Sequence, residues 1–288
     1  MPGSSTSHVP ALPAMGPVTL LRALLKFPKR RAQRPLLSAL PELVTEYRLD
    51  RLPLDDIARY RAAFGFKDAH IPLTWWYLPA QRAHLATMLD PRFPYRIAGL
   101  VHMENTLEAH GPAAPDQPLL LRTVLRLPPP SSSGALRCVL ETSGSADGKL
   151  VFACASTYLI RRGERGGAKQ ADAAPEFPGA PLAQWTLDAA AGRRYARLSG
   201  DWNPIHLYRW SARLMGMRAP IIHGMHSLAK ACAALERDNG RRTARIDCRF
   251  RAPITLGRAV TLRMAPASTG FVLEAAGKPA VTGTWTPV

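Results

Sequence analysis

The sequence predicts an α+β chain built from two copies of one module, and three observations carry that reading. Helical periodicity gives way twice to a series of alternating, turn-separated strand patterns, the order expected when strands form an antiparallel sheet over a helix. A Gly-, Pro- and charge-rich stretch, "RRGERGGAKQADAAPEFPGAP" (161–181), lies between the two series and reads as a linker. The order of elements before it recurs after it at an interval of about 110 residues, as duplication of a module would produce. With 288 residues, 47% of them hydrophobic, the chain can fill two such cores.

Residues 1–40 come first, with prolines, serines and a basic cluster of Lys26, Lys29, Arg30, Arg31 and Arg34. They are expected to form a basic, poorly ordered arm with one short helix at 19–27; an organelle transit peptide and a plain arginine-rich tail share this composition. The first module is placed at 41–162. In "LPLDDIARYRAAFGF", Leu54, Ile57, Ala58, Tyr60 and Phe64 recur at helical spacing and Gly65 supplies the stop. "IPLTWWYLPAQRAHLATML" is a second segment of helical length, expected to be interrupted at Pro79. Strand patterns follow at 96–107, 119–127, 137–142 and 150–160, separated by turn clusters such as "PPPSSSG" and "SGSADG". After the linker, placed at 163–181, the second module occupies 182–288. It holds a helix at 189–198, a longer one from Gly224 to Glu236 closed near Asn239-Gly240, and strands at 244–251, 259–265, 271–275 and 280–285.

Composition narrows the function classes. The four cysteines, Cys138, Cys154, Cys232 and Cys248, form no CxxC pair and no zinc spacing, and read as reduced core thiols in a cytoplasmic protein with no metal. No apolar run reaches the ~18 residues of a membrane span. The net charge of +17 points to a polyanionic partner, yet zinc-finger spacing, an RNP-like aromatic run and a basic region with heptads are all missing. Nucleic acid is therefore not expected, and a phosphate-bearing substrate or an acidic carrier protein suits the charge equally.

The chemistry-bearing stretch is "YARLSGDWNPIHLYRWSA", with "APIIHGM" just after it. Pro204 biases Asn203 away from helix, so the chain turns there and brings Asp201 and His206 to one small volume. A carboxylate and an imidazole so placed can handle the two protons of a water molecule. Gly224 opens a helix whose first N–H groups lack internal partners, which makes an oxyanion site that an acyl group can approach without meeting a Cβ. Taken singly, Asp201 is explained as a turn acid, His206 as a structural histidine and Gly224 as a helix cap. Their conjunction is the parts list for chemistry beside a thioester carbonyl. His223 and His226 read as structural, and no acid or thiolate spacing makes a metal site of them with His206.

Every position from Tyr195 to Ala212 resembles the hydratase 2 signature of the MaoC-like (R)-specific enoyl-CoA hydratase and 3-hydroxyacyl-thioester dehydratase family. "CRFRAPITLGRAVTL" resembles the family's following strand pair, and "GLVHMENTLEAHGP" the substrate-side strand of its two-module members. The resemblance implies a double hotdog, two long helices each wrapped by an antiparallel sheet, with catalytic residues only in the second module. It assigns Asp201 and His206 to the water and the α-carbon proton, and the Gly224 N–H to the enolate oxygen. Asn203 would fix the turn or the substrate, Phe250 would line the pantetheine or acyl path, and His102 and Met103 would come from the first module. Met103 stands where two-module relatives often have glycine. Which of Asp201 and His206 is the base stays open in the sequence. The implied reaction is reversible hydration of a trans-2-enoyl thioester to the (3R)-3-hydroxyacyl thioester, with acyl-CoA or acyl carrier protein thioester as substrate and no metal or redox cofactor. A homodimer of double modules, or a monomer whose halves mimic one, is implied alongside. The competing reading is a non-catalytic acyl-thioester binding subunit on the same fold. "TWWYL" (74–78) fits either an acyl tunnel or ordinary core.

Overall fold

The computed structural model describes residues 9–26, 42–67, 69–160, 180–265 and 269–288. The linker expected at 163–181 falls almost wholly outside the described residues, as do 1–8 and 27–40 of the arm.

Five strands come from the first module: β1 (Leu43–Leu49), β2 (Leu100–Ala109), β3 (Leu119–Arg126), β4 (Leu136–Ala146) and β5 (Lys149–Ile160). Five more, β6 (Ala183–Thr186), β7 (Thr243–Phe250), β8 (Ala259–Met264), β9 (Gly270–Ala275) and β10 (Lys278–Pro287), come from the second. They form one sheet in the order β1-β3-β4-β5-β2-β7-β10-β9-β8-β6. Read inward from either edge, each half runs first, third, fourth, fifth, second strand of its module. The modules therefore share a topology, and the two sheets expected from the sequence are one continuous sheet joined at β2 and β7.

Complementary charge lies along that join. Glu104 faces Arg249 at 3.2 Å, Glu108 faces Arg245 at 2.6 Å, and between them Thr106 Oγ1 donates to Asp247 Oδ1 at 2.7 Å. Cross-strand pairs of this kind contribute about 0.2–1 kcal/mol each. β1 and β6 escaped the sequence reading because both are edge strands, and β6 has only four residues with no β-branched run.

Among the helices, α1 (Pro17–Leu25) starts two residues earlier than expected, with Pro17 in the first helical position where its fixed φ suits a helix start. α2 (Leu54–Phe64) ends as read, on Gly65 at φ 79°. Pro79 does not interrupt its segment. A 3₁₀ turn at Leu73–Trp76 leads into α3 (Tyr77–Leu89), and Pro79 sits in the first turn of α3, where a missing N–H breaks no internal bond. In the second module α4 (Ala191–Ser199), α5 (Arg209–Leu214) and α6 (Gly224–Asn239) follow, the last closed by Gly240 at φ 73°. Both long helices, α3 and α6, are buried; α6 and the first half of α3 share one core that spans the modules, while Met88 near the end of α3 packs in a second cluster with Leu43, Phe93 and Leu140.

The arm departs from expectation over its described part, 9–26, which is docked. Leu12 N–H donates to the Arg48 carbonyl at 2.7 Å, Arg82 Nε and Nη2 donate to the carbonyls of Pro13 (2.8 Å) and Leu12 (2.9 Å), and Lys26 Nζ donates to that of Asp90 at 2.6 Å. These are bonds from a backbone N–H and from basic side chains to backbone oxygens, which leave no periodic pattern in a sequence.

Candidate active site

The site is built on the turn between α4 and α5. α4 stops at Gly200 (φ 76°), and two side chains then bond the backbone ahead of them: Asp201 Oδ1 accepts from Asn203 N–H at 3.1 Å, and Asn203 Oδ1 accepts from Ile205 N–H at 3.3 Å. Such turns are the local alternative to helix that Asp and Asn provide. They carry the chain into a 3₁₀ turn, Pro204–His206, and α5 is tied back by Ser211 Oγ donating to the Pro204 carbonyl at 2.7 Å. Asn203 thus bonds within the turn itself.

His206 is buried and its Nδ1 lies 2.9 Å from the Ile221 carbonyl. A carbonyl only accepts, so Nδ1 carries the proton. Burial lowers the ring's proton affinity, against the opposing pull of Asp201 and the Ile221 carbonyl. The neutral ring keeps its lone pair on Nε2. His223 backs it: the rings stack at 3.7 Å and 28°, and His223 Nε2 donates to the Asp201 carbonyl at 3.0 Å. Burial, followed by the His206 ring, holds His223 well below the usual imidazole range. His223, read as structural from the sequence, therefore links both catalytic candidates to the next residue, Gly224.

Two glycines make this packing possible. A Cβ on Gly224 would stand 2.6 Å from the Phe250 ring, so the space that the sequence reading reserved for an acyl group is shared with Phe250. Gly192, in the first turn of α4, lies against the backbone of the catalytic turn, and a Cβ there would stand 2.0 Å from the His206 carbonyl oxygen. Sequence reasoning missed Gly192, since a glycine near a helix start has several ordinary explanations. At the start of α6, His223 occupies the cap position without a side-chain capping bond, which leaves the helix entry to backbone N–H groups.

From the first module, His102 comes up to Phe250 with ring centroids 5.0 Å apart, and stacks between Tyr77 (5.8 Å) and Tyr158 (4.9 Å). Gly224, Phe250 and His102 consequently form a line across the β2–β7 join. Burial pushes His102 down to about 4, so this ring is neutral as well. Met103 is skipped in the β2–β5 pairing, between His102 and Glu104, as in a β-bulge. The "TWWYL" stretch divides: Trp76 stacks on Phe152 at 4.7 Å within the core, while Trp75 lines a cavity of about 230 Å³ with Met15, Leu78, Leu198 and Gly200. A further residue not found by sequence is Gln81 of α3, whose Nε2 donates to Asp201 Oδ2 at 2.9 Å.

Among the described residues, Asp201, His206 and His223 offer ligand atoms within 4.8 Å of one another. One nitrogen of each ring is already engaged by a backbone carbonyl, His206 Nδ1 by that of Ile221 and His223 Nε2 by that of Asp201, which leaves each ring one nitrogen for any other partner.

Fold and site together define a two-module hotdog protein whose second module brings Asp201 and His206 together. Residues 170–270 match the family model for the MaoC like domain. Two Mycobacterium tuberculosis proteins are similar over much of their length. 3-Hydroxyacyl-thioester dehydratase X is 27% identical over 82% of this chain and 87% of its own. 3-Hydroxyacyl-thioester dehydratase Y is 30% identical over 62% of this chain and 67% of its own. A crystal structure of the former, HtdX, superposes with a TM-score of 0.68 at 25% identity, covering 84% of this chain and 99% of that one. A third M. tuberculosis protein, with a double hotdog fold, matches at a TM-score of 0.53 and 14% identity over 87% of this chain and 94% of its own. The chain belongs to the MaoC-like dehydratase family.

Proposed function

We propose that this protein is a hydro-lyase that reversibly hydrates a trans-2-enoyl thioester to the (3R)-3-hydroxyacyl thioester in fatty acid metabolism. The observation that carries the reading is the meeting of Asp201, an uncharged His206 with its Nε2 lone pair, and His223, the residue that leads into the glycine start of α6. A water donating one hydrogen to Asp201 and the other to His206 Nε2 is aimed through its oxygen at C3 of the enoyl group. The thioester oxygen, held at the Gly224 N–H, takes up the negative charge as the C3–O bond forms. The proton lost by the water passes through the acid and imidazole pair to C2, which returns both groups to their starting state. Hydroxide on C3 and proton on C2 add up to one water, so no oxidant or reductant is consumed, and the reading assigns no step to a metal.

The carrier is an anionic one, coenzyme A or acyl carrier protein. No carboxylate occurs between Asp201 and Glu236, whereas Arg209, Arg213, Arg218 and Lys230 do, and α5 leaves Trp210 exposed beside them. The β2–β7 join supports a chain whose two halves stand in for a dimer. The four cysteines are all buried and unpaired, which suits a cytoplasmic setting; no helix among the described residues is long and apolar enough to cross a membrane.

The test is loss of conjugated-thioester absorbance with crotonyl-CoA and trans-2-decenoyl-CoA side by side, then with the crotonyl group on acyl carrier protein. Turnover to the (3R) product is expected from at least one. A folded protein that binds these thioesters and turns over none would replace the reading with a binding subunit.

A further inference from the structure

We propose that Gln81, a residue of the first module, is a positioning residue for the reaction in the second, its amide N–H holding Asp201 Oδ2 where the hydration uses it. The inference rests on the hydration reading above. Gln81 lies in the middle of α3, and its Nε2 meets Asp201 Oδ2 at 2.9 Å across 120 residues of sequence. A carboxylate only accepts, so the amide must present Nε2, and this fixes Gln81 Oε1 on the other side. That oxygen is buried with no partner among the described residues. The side chain thus satisfies Asp201 at the cost of its own acceptor, the opposite of what a glutamine held only by packing would do.

The geometry shows what the bond achieves. Asp201 Oδ1 is already tethered by Asn203 N–H at 3.1 Å, and one bond alone leaves the carboxylate free to swing about its Cβ–Cγ axis. A second donor on Oδ2, coming from a different element, fixes the carboxylate plane. It also leaves each oxygen with capacity to accept from a water. Tyr77, one helical turn before Gln81 on the same face of α3, stacks on His102, so this face of the helix reaches the candidate site at two points. A first module without the Asp-x-Asn-Pro-x-His motif of its own accordingly still completes the site of its neighbour.

The test uses the full chain with Gln81→Met, nearly isosteric and without a donor, and Gln81→Glu, which sets a carboxylate against Asp201. With the better of the tested enoyl thioesters, kcat is expected to fall about 10- to 100-fold in Gln81→Met with KM changed less than about threefold. Carboxyl ¹³C spectra at one fixed pH supply a readout independent of turnover: the Asp201 signal, the one absent from Asp201→Asn, is expected to shift in both variants because its second donor is lost. A lower melting temperature with kcat within about threefold of the unaltered chain and an unmoved Asp201 signal would overturn the proposal and leave Gln81 as ordinary packing. If Gln81→Met does not fold, Gln81→Glu, which keeps size and polarity, decides alone. If the unaltered chain turns over no thioester, the hydration reading has failed, and the Asp201 signal still judges Gln81.

Discussion

The two modules have the same strand order and the same buried long helix, but they enter that helix differently. In the second, an extended backbone at His223 (ψ 135°) leads straight to Gly224, so α6 opens on a residue without a side chain. In the first, a 3₁₀ turn runs into α3 with no break, and Trp75, Trp76 and Tyr77 fill the entry with buried rings. Pro79 removes one N–H from the first turn of α3 as well. An oxyanion site needs N–H groups that no side chain covers, and of the two long helices α6 is the one that opens on a residue without a side chain. The lesson is that one scaffold carries both outcomes, and a few residues at the helix entry decide between chemistry and support.

The comparison breaks most sharply at the acid and the imidazole. Asp201→Asn and His206→Ala are each expected to lower kcat by about 100- to 10,000-fold while melting temperature and circular dichroism stay near those of the unaltered protein. Near-normal rates in either would remove the second module's claim to the chemistry. Next comes Gly192→Ala, because the atom its Cβ would strike is backbone and cannot swing away. It should cost about 1–3 kcal/mol in denaturant melts and lower turnover by moving His206.

A third test sharpens the first module's part. Burial holds His84 and His226 at about 3 and His102 at about 4, below the ~6.5 of an unfolded chain. The folded state therefore binds fewer protons than the unfolded one once the pH drops below about 6.5. The stability these neutral rings contribute is complete above that pH and is lost as it falls towards 4. His84 is the cleanest probe, since it lies outside the proposed chemistry. His84→Leu should flatten the dependence, recovering about 1–2 kcal/mol at pH 5 relative to the unaltered chain in urea melts compared at pH 5 and pH 7. An unchanged slope would show that His84 is not held neutral by burial. The smallest effect belongs to the join itself: Glu108→Gln removes one exposed partner of Arg245 and should cost no more than about 1 kcal/mol, fading further in salt.

Much of the fold was legible because its signals are local. Eight of the ten strands and the start and stop of α6 follow from alternation, turn clusters and glycine caps within a few residues of each element. The edge strands β1 and β6 were not, being short or weakly patterned, and neither was the union of two sheets into one, which depends on pairing between distant strands. The same division holds in the site. Asp201, Asn203, His206 and Gly224 sit in one contiguous motif, so spacing alone brought them forward. Gln81 and Gly192 act through contacts with residues far along the chain, and a glutamine in mid-helix or a glycine in a first turn gives no sign of its distant partner. His102 and Phe250 came from resemblance, and their meeting across the β2–β7 join is a property of the register.

The central claim, one acid and imidazole site on one face of the enoyl group, is tested most directly by hydrating crotonyl-CoA in D₂O and determining the configuration of the product at C2 and C3. The account predicts (3R)-3-hydroxybutyryl-CoA with a single deuterium at C2 on the face that receives the hydroxyl. A (3S) or racemic product, or deuterium delivered to the opposite face, would contradict it.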